Sequence, residues 1–510
     1  MPATAVVPLP ASMAFAEAAP FTITSDTPVT GDPDAVADLR RLLSARGVPV
    51  ASADAGDDSP AIRLALGAGD PESYALTAAA DGLSVVGTDA AGLFYGVQTL
   101  GQLVERQGSA WSIPAVTIED APRFAYRGVM LDVARHFHGV ETVLAYIDRA
   151  ASLKFNALHL HLTDDQGWRL QVLSRPRLTE SASATSVGGD PGGSFTQDDY
   201  RRIVSYAASR HMIVVPEVDL PGHTHAVSLA YPELSEPPVI SDHVRETAQQ
   251  FGGGLPENGV AYDGMAVGFS SLRIHEEATY AFVSDVLGEL AQLTPGPYLH
   301  VGGDEALGTP AEDFAHFMAR VTGIVTGLGK VPITWHEAGA ASGLDPVTIG
   351  QYWGFVEPTD GMDDKARAFV SRGSRVILSP ADAVYLDMKF DADSPLGLTW
   401  ARGVTSLRRA YDWDPATVIE GIGDAEILGI EAPLWTETVR DLAAIDALAF
   451  PRIAAAAEAG WSPRPGTDEG RTWASFRTRV GTLGPLWTAL GIGFAPLPEV
   501  DWTTEEGDSA

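Results

Sequence analysis

The sequence contains no cysteine, which excludes disulfide bonds, thiolate metal sites and cysteine nucleophiles. Basic residues are also scarce: 34 lysines and arginines stand against 67 aspartates and glutamates, which gives a net charge of −33. Because nucleic acids and anionic membranes bind to basic surfaces, this balance argues against both as partners. No apolar run reaches the roughly 18 residues that a membrane-spanning helix needs. We therefore expect a soluble protein that acts on a neutral or cationic partner.

The N-terminus lacks the basic segment with which a secretory signal begins, because the first basic residue is Arg40. Residues 14–19 (AFAEAA) are similar to a signal cleavage site, but Pro8 and Pro10 interrupt the apolar stretch before them. We therefore expect a cytoplasmic protein, with secretion as the alternative.

The chain has 510 residues, of which 45% are hydrophobic, and is long enough for one large domain and a smaller one. Apolar residues alternate at 61–66, 74–77 and 83–87, which predicts three strands, and helical spacing follows at 90–100. These elements predict an accessory α+β domain over residues 1–120. The turn at 120–122 (DAP) marks the boundary to a second domain, 121–510.

From residue 126 onward the pattern alternates between strand and helix. The predicted strands are 128–133, 157–163, 212–218, 298–301, 332–335, 348–353, 376–378 and 427–434. The predicted helices are 141–153, 197–210, 276–293, 311–328, 363–371 and 440–449, and Thr196 with Asp199 forms a capping box before the second. This order predicts an α/β fold with a (β/α)₈ TIM barrel. An open doubly wound sheet is the alternative, but no phosphate-binding glycine motif follows the early strands.

Two adjacent carboxylates follow the predicted strand at 298–301, in the segment 300–305 (HVGGDE). The two glycines allow the chain to turn sharply. Asp304 and Glu305 would point to opposite faces of a regular strand, but both can face one cavity where a strand ends in a loop. Two close carboxyls separate their pKa values, so that one can stay a protonated acid while the other is ionised. A solvated acidic turn is the plainer explanation of such a pair.

Carboxylates, histidines and tryptophans accumulate where the predicted strands end, which is where a TIM barrel carries its active site. Together with Arg135, Tyr352 and Tyr385, which stand at the same positions, these residues are Asp132, His136, His161, Asp164, Asp165, Trp168, Glu217, Asp219, His223, His225, His300, Asp304, Glu305, Trp335, His336, Glu337, Trp353, Asp387, Trp435 and Glu437. Tryptophan faces beside carboxylates suit the apolar faces and the hydroxyl rim of a sugar ring. Paired carboxyl groups can then cleave a glycosidic bond.

A metal-dependent hydrolase is a second explanation of the same residues. His159 and His161 share one face of a strand and, with His223, His225 and Asp304, could form a zinc site. His159, however, lies inside its strand. We expect His161 to orient a neighbour by hydrogen bonding, and we predict no metal ligand.

Several longer motifs together resemble those of glycoside hydrolase family 20, the β-N-acetylhexosaminidases. The matching segments are 126–137 (YRGVMLDVARHF), 158–168 (LHLHLTDDQGW), 216–225 (PEVDLPGHTH), 300–305 (HVGGDE), 351–353 (QYW), 385–388 (YLDM) and 429–438 (GIEAPLWTET). Residues 92–100 (GLFYGVQTL) resemble the accessory N-terminal domain of that family. The resemblance covers nearly the whole chain. It implies an exo-acting glycosidase that removes a terminal β-linked N-acetylglucosamine or N-acetylgalactosamine from a glycan.

The resemblance also implies a retaining, substrate-assisted mechanism, in which the acetamido oxygen of the substrate is the nucleophile and no metal or cofactor is needed. Glu305 matches the general acid/base, and Asp304 matches the residue that binds the acetamido N–H. Asp164 and His223 resemble the pair that tunes the acid. The other matches bind substrate: Tyr385 the acetamido oxygen; Trp335, Trp353 and Trp435 the acetamido methyl and the sugar ring; Arg127, Asp387 and Glu437 hydroxyl groups; and Trp400 the next sugar.

Two positions depart from the family pattern, and both concern leaving-group preference. His336 stands where an acidic residue is expected, and 381–384 (ADAV) is less polar than the usual segment before Tyr385. Alternatives to the exo-hexosaminidase are a relative that releases an N-acetylated disaccharide, as a lacto-N-biosidase does, and a catalytically silent sugar-binding protein.

Overall fold

The computed structural model describes residues 6–50, 60–467 and 470–503. These residues divide into two compact units. Unit 1 comprises the chain up to Arg127, Asp148–Phe155 and the segment from Ala449 onward, whereas unit 2 comprises Gly128–Ile147 and Asn156–Leu448. The C-terminal segment thus groups with the N-terminal one. The prediction that 121–510 form a single domain differs from this division.

Unit 1 is built on a six-stranded sheet of order β1-β9-β5-β6-β4-β3 and a three-stranded sheet of order β2-β8-β7. The strands are β1 (Ser12–Phe15), β2 (Phe21–Ile23), β3 (Val29–Gly31), β4 (Ile62–Leu66), β5 (Tyr74–Ala79), β6 (Gly82–Gly87), β7 (Glu105–Gln107), β8 (Ala110–Ile113) and β9 (Val116–Asp120). Two helices, Pro33–Ala45 and Ala90–Leu103, complete its N-terminal part. The three predicted strands match β4, β5 and β6, and the predicted helix lies within the second of these helices.

The C-terminal part of unit 1 holds the helices Arg452–Trp461 and Trp473–Ala489. Glu458 on the first of them is fully buried and accepts two hydrogen bonds from Arg479 on the second, both at 2.7 Å. It also accepts one from the backbone N–H of Leu9, at 3.2 Å. The indole N–H of Trp461 donates to Asp120 at 3.0 Å. These buried bonds explain why the C-terminal segment groups with the N-terminal one.

Unit 2 is a closed eight-stranded barrel in the order β10-β11-β14-β15-β16-β17-β18-β19. Its chain contributes β10 (Tyr126–Asp132, of which the first two residues belong to unit 1), β11 (Ala157–His161), the hairpin strands β12 (Thr163–Asp164) and β13 (Gly167–Trp168), β14 (Ile213–Glu217), β15 (Tyr298–His300), β16 (Val331–Trp335), β17 (Ile349–Tyr352), β18 (Val376–Leu378) and β19 (Ile427–Leu434). All eight predicted strands match barrel strands. The predicted TIM barrel is confirmed, and the open doubly wound sheet is wrong.

Helices connect the barrel strands. They are Val140–Ala151, Arg177–Ser181, Gln197–Ser209, His225–Ala230, Asp242–Phe251, Glu277–Leu293, Ala311–Gly327, Met362–Ser371, Ala381–Val384, Leu407–Tyr411, Pro415–Val418 and Leu442–Ala449, with 3₁₀ turns at Val187–Gly189, Pro232–Leu234 and His336–Ala340. The predicted capping box is present: Thr196 Oγ1 accepts from the Asp199 N–H at 3.1 Å, and Asp199 accepts from the Thr196 N–H at 3.0 Å.

Among the helices of the described ranges, none has the length and the apolar character to cross a membrane. This agrees with the absence of a long apolar run in the sequence. The cytoplasmic location expected from the N-terminal residues stays a prediction.

Candidate active site

A row of buried polar side chains crosses four neighbouring barrel strands where they end. Asp132 on β10 pairs in register with His161 on β11, His161 with Glu217 on β14, and Glu217 with His300 on β15. Register partners in a parallel sheet point to the same face, so these four side chains share one side of the barrel wall. Each of them is fully buried. The floor beneath the loops is therefore made of polar and charged groups rather than aliphatic ones.

The two glycines after β15 deliver the adjacent carboxylates to this floor. Gly302 and Gly303 have φ angles of 63° and 100°, which L-residues with a side chain rarely adopt. A Cβ on Gly302 would lie 1.6 Å from Asp219 Oδ1, and the Gly303 N–H donates to that same oxygen at 3.1 Å. The loop can therefore wrap around the Asp219 carboxylate only because it lacks side chains here.

Asp304 and Glu305 both approach the imidazole of His223. His223 Nε2 lies 3.6 Å from Asp304 Oδ2 and 3.5 Å from Glu305 Oε2. The two carboxylates differ in exposure, since 11% of the Asp304 side chain is accessible against 35% of that of Glu305. Glu305 also has a positive φ of 43°. The pair is thus an inner and an outer carboxylate on one cation, not two groups facing each other across a gap.

Burial governs the charge states around this pair. It raises the pKa of Asp304 to about 6; His223 opposes the shift, and Glu305 and Glu217 add to it. Burial and the neighbouring Asp304 hold the pKa of Asp219 well above its usual value. For His223 burial alone would lower the pKa, but Asp164, Asp219 and Asp304 raise it well above its usual value. The neighbouring carboxyl groups therefore favour the imidazolium form of His223.

Asp164 fixes the other side of His223. Its Oδ1 lies 3.1 Å from His223 Nδ1, and its Oδ2 lies 2.8 Å from both Arg135 and His161 Nε2. Burial would raise the pKa of Asp164, but Arg135 and His223 lower it well below its usual range. Asp164 is consequently an ionised anchor for His223, and His161 orients a neighbour as expected.

Aromatic rings form a continuous wall beside the carboxylates. Successive ring centroids lie 6.1 Å apart for Trp335 and Trp435, 6.4 Å for Trp435 and Tyr385, 5.7 Å for Tyr385 and Trp400, and 5.9 Å for Trp400 and Trp353. Trp335 is fully buried, whereas Trp400 is 47% exposed. The structure brings all five predicted aromatic residues together, with Trp400 at the solvent end.

The two remaining predicted acidic residues lie near Trp435. Asp387 is buried and accepts a hydrogen bond from the Trp435 backbone N–H at 3.4 Å. Burial raises the pKa of Glu437 to about 7, an effect that Arg135 partly offsets. The guanidinium of Arg135 stacks on Trp435, 4.8 Å from the ring centroid. Arg135 therefore joins the acidic residues to the aromatic wall.

The histidines considered as metal ligands are engaged in ion pairs. Both nitrogens of His159 face carboxylates, Glu431 at 2.9 Å and Glu217 at 3.1 Å, and His161 lies between Glu217 and Asp164 in the same way. Although burial opposes it, these anions raise the pKa to about 10 for His159 and about 9 for His161. Several of these groups lie close enough together to surround a cation. A protonated imidazole, however, has no lone pair for a metal, so the donor set favours hydrogen-bonded ion pairs.

Family models match almost the entire chain. The description "Glycosyl hydrolase family 20, catalytic domain" matches residues 124–313 and 307–464, and "Glycosyl hydrolase family 20, domain 2" matches residues 3–121. The chain belongs to glycosyl hydrolase family 20. It is a glycosidase, and the family resemblance stated from the sequence motifs is confirmed.

Individual relatives agree with this assignment. A β-N-acetylhexosaminidase of Cellulomonas fimi is 38% identical, with 98% of each chain covered. A solved family 20 β-N-acetylglucosaminidase is 62% identical with a TM-score of 0.92, covering 98% of this chain and 100% of its own. The Streptomyces plicatus N-acetyl-β-hexosaminidase in complex with Thio-NAglucal is 43% identical with a TM-score of 0.88, covering 99% of this chain and 98% of its own.

Arg127 is the one predicted site residue of this family 20 enzyme that the structure does not bring to the site. It stands near the start of β10, whereas the site lies where the strands end. Its guanidinium bonds Glu72 at 2.9 Å and 3.1 Å and the Phe124 carbonyl oxygen at 2.9 Å. Arg135, beyond the end of the same strand, has the position that a hydroxyl-binding arginine needs. The direction of the strand could have distinguished Arg127 from Arg135, because only the residue after the end of the strand can reach the site.

Three further carboxyl groups belong to the site, and although they were expected at the strand ends, no role in the reaction was assigned to them: Glu217, Asp219 and Glu337. Burial and Asp304 raise the pKa of Glu337 to about 8, and its Oε2 accepts from the Trp353 indole N–H at 2.9 Å. Its neighbour His336, noted as a departure from the family pattern, is buried, and burial lowers its pKa to about 3. All three carboxyl groups stand at or just after strand ends, a position that the sequence already indicated.

Proposed function

We propose that this family 20 glycosidase is an exo-acting β-N-acetylhexosaminidase, which releases terminal β-linked N-acetylglucosamine or N-acetylgalactosamine from glycans or chitooligosaccharides. The observation that carries the proposal is the arrangement of Asp304 and Glu305 on one imidazole, beside an aromatic wall. Retaining enzymes with two protein carboxylates place them across the sugar, about 5–5.5 Å apart. Consecutive residues on one side of the sugar leave the position of the nucleophile to the substrate, whose 2-acetamido oxygen can attack the anomeric carbon.

The chemistry proceeds in two steps at the anomeric carbon. In the first, the acetamido oxygen bonds to that carbon while the glycosidic bond breaks, and Glu305 gives its proton to the departing oxygen. In the second, water attacks the oxazolinium intermediate, Glu305 takes a proton from it, and the acetamido group is restored with retained configuration. Asp304 accepts a hydrogen bond from the acetamido N–H. It also stabilises the positive charge that develops on the forming oxazolinium ring.

Two further features support these roles. Burial, with Asp387 and Asp304 nearby, holds the pKa of Tyr385 well above its usual value, so its hydroxyl stays a donor to the acetamido oxygen. His223, fixed by Asp164, places a cation beside Glu305 and Asp304. The cation opposes the build-up of negative charge when both carboxyls are ionised.

Residues around Trp435 support recognition of a terminal sugar. Arg135, Asp387 and Glu437 offer a donor and acceptors suited to sugar hydroxyl groups, with Trp435 as the apolar face between them. Glu437 Oε2 receives no hydrogen bond from any residue that the structure describes. The half-exposed Trp400 suits stacking of the leaving sugar.

A substrate series tests the proposal. Aryl β-glycosides of N-acetylglucosamine and N-acetylgalactosamine should be cleaved, while the β-glucoside with a 2-hydroxyl should be nearly inert, because it lacks the nucleophile. Replacing acetyl by trifluoroacetyl weakens that nucleophile, and the rate should fall steeply. Faster release of lacto-N-biose than of N-acetylglucosamine would instead favour the disaccharide-releasing alternative. Rapid cleavage of the glucoside, with a glycosyl-enzyme trapped by mass spectrometry, would contradict the mechanism.

A further inference from the structure

Glu217 lies at the centre of the polar floor, and four side chains surround its carboxylate. Oε1 lies 2.9 Å from the Trp335 indole nitrogen and 2.9 Å from His300 Nδ1. Oε2 lies 3.1 Å from His159 Nε2 and is also bonded to His161 Nδ1. Burial would raise the pKa of Glu217, but His161, His300 and His159 lower it well below its usual value. A single buried anion thus has hydrogen-bonding neighbours at both oxygens.

One oxygen of Glu217 holds the aromatic wall. Trp335 is fully buried, and its indole N–H donates to Glu217 Oε1. An indole has only this one polar group, so the bond sets the rotation of the ring within its apolar surroundings. Trp335 is also the innermost ring of the wall, in contact with Trp435. The orientation of the innermost wall residue therefore depends on Glu217.

The other oxygen leads to the acid. His161 joins Glu217 Oε2 to Asp164 Oδ2, Asp164 Oδ1 bonds His223 Nδ1, and His223 Nε2 reaches Glu305 Oε2 at 3.5 Å. His161, Asp164 and His223 are buried, so water does not compete for the hydrogen bonds that join Glu217 to His223. The position of His223 beside the acid is therefore set in part by the same anion.

We propose that Glu217 is a positioning residue, which couples the acetamido pocket to the acid by holding Trp335 with one oxygen and the chain His161–Asp164–His223 with the other. The proposal rests on the proposed function, because it assigns a task to each arm in that reaction. Glu431 gives the contrast. It is equally buried and accepts from His159 at 2.9 Å and from Gln351 at 2.6 Å, in place of Trp335 and His161.

The test compares two rate ratios in Glu217→Gln, in wild type and in the matched control Glu431→Gln. The first ratio is kcat/KM for the nitrophenyl over the phenyl β-N-acetylglucosaminide, which reports help to the leaving group. The second is kcat/KM for the N-acetyl over the N-propionyl substrate, which reports the fit of the acyl pocket. An amide offers one acceptor oxygen where the carboxylate offers two, so in Glu217→Gln the Trp335 N–H and the protonated His161 Nδ1 compete for it and both arms are weakened. We expect the first ratio to rise and the second to fall, each by about threefold or more, with neither changed in Glu431→Gln.

Both ratios are measured on active molecules, so a loss of stability alone moves neither. Unchanged ratios in Glu217→Gln, or equal changes in Glu431→Gln, would overturn the proposal. If the wild-type enzyme cleaved no N-acetylglucosaminide, the proposed function itself would be refuted. Failure of the Glu217 proposal and failure of the proposed function therefore give different results.

A double-mutant cycle keeps the proposal testable where Glu217→Gln does not fold. Trp335→Phe removes the indole donor, and Asp164→Asn weakens the chain to His223, while each leaves Glu217 in place. Residues without a shared partner have nearly additive effects. We expect the double variant to deviate by about threefold or more from the product of the single effects on kcat/KM, because both residues act on one carboxylate. Additive effects would contradict the coupling.

Discussion

Among the described residues, the buried carboxylates Asp120 and Glu458 of unit 1 accept hydrogen bonds from protein donors at both oxygens, whereas several buried carboxyl groups at the barrel end of unit 2 retain an acceptor oxygen without a donor. In unit 1, Glu458 has Arg479 at 2.7 Å, and Lys154 has Asp120 at 2.9 Å. In the site of unit 2, the carboxyl oxygens that accept no hydrogen bond from the described residues include Asp165 Oδ2, Asp219 Oδ2, Asp304 Oδ1 and Glu437 Oε2. A buried acceptor without a donor is costly, so its presence indicates a group that a ligand completes. Burial alone does not distinguish the two kinds of charge; the state of their partners does.

The largest effect on turnover should come from Glu305, the most exposed carboxylate of the pair on His223. Glu305→Gln keeps the shape but removes the proton donor, so kcat should fall by about 10²–10⁴. The loss should shrink as the leaving phenol becomes more acidic, because such a phenol departs with less protonation. The measurement is kcat across a series of aryl N-acetylglucosaminides, with the exposed Glu312→Gln as control. An equal loss for every phenol would rule out Glu305 as the acid.

Asp304→Asn should lower kcat slightly less than Glu305→Gln does, and it should raise the stability of the fold. Loss of the anion that stabilises the oxazolinium should lower kcat by about 10²–10³. Because burial raises the pKa of Asp304 to about 6, the wild-type fold loses stability as pH rises from about 4 to 6, and this cost persists above 6. Asparagine avoids it, so the variant should have the higher Tm at pH 7 and about the same Tm near pH 4. A lower Tm at pH 7 would mean that the protein, not the substrate, completes this carboxylate.

The same group should shape the pH profile. If Asp304 must be ionised to act, kcat/KM should fall about tenfold per pH unit below the pKa of about 6. Asp304→Asn should lack this limb of the profile. The measurement is kcat/KM between pH 4 and 8 for both proteins. An acid limb that survives in the variant would belong to another group.

The smallest effect on turnover should come from the matched charges of unit 1. Glu458→Gln leaves Arg479 buried without its anion, so the free energy of unfolding should fall by about 3–5 kcal/mol. The kcat of the folded fraction should stay that of wild type. Glu141→Gln, which breaks an exposed ion pair with Arg202, should cost less than about 1 kcal/mol. Denaturant unfolding and active-site titration measure both quantities, and a lower kcat in Glu458→Gln would break the distinction between the two regions.

The barrel was predictable because its strands are apolar and alternate with amphipathic helices. The location of the site then followed, because a TIM barrel carries its active site at the carboxyl ends of its strands. The short strands of unit 1 could not be predicted from the sequence. A strand of three or four residues, such as Val29–Gly31, is too short to show a clear alternation of apolar and polar residues. The grouping of the C-terminal segment depends on Glu458 meeting Leu9, a contact between distant positions that no local pattern indicates.

Side-chain roles were predictable where a motif fixes the position, as for Asp304 and Glu305, and less so where direction matters. Arg127 and Arg135 lie in one motif, but Arg127 stands near the start of β10 and Arg135 just beyond its end, and only Arg135 meets Asp164. Glu217 carried no distinguishing signal either. Its importance comes from four partners on other strands, which the fold alone brings together.

The contact between Gly302 and Asp219 has an evolutionary consequence. A methyl group on Gly302 would fall 1.6 Å from the Asp219 carboxylate oxygen and 2.8 Å from the Asp219 Cα, so Gly302 cannot accept a side chain. A shorter residue at position 219 would remove the first clash but not the second, and the N–H of Gly303 would lose its acceptor. A change at position 219 therefore cannot rescue a substitution at Gly302. A mutant library that varies Gly302 will sample almost only inactive sequences.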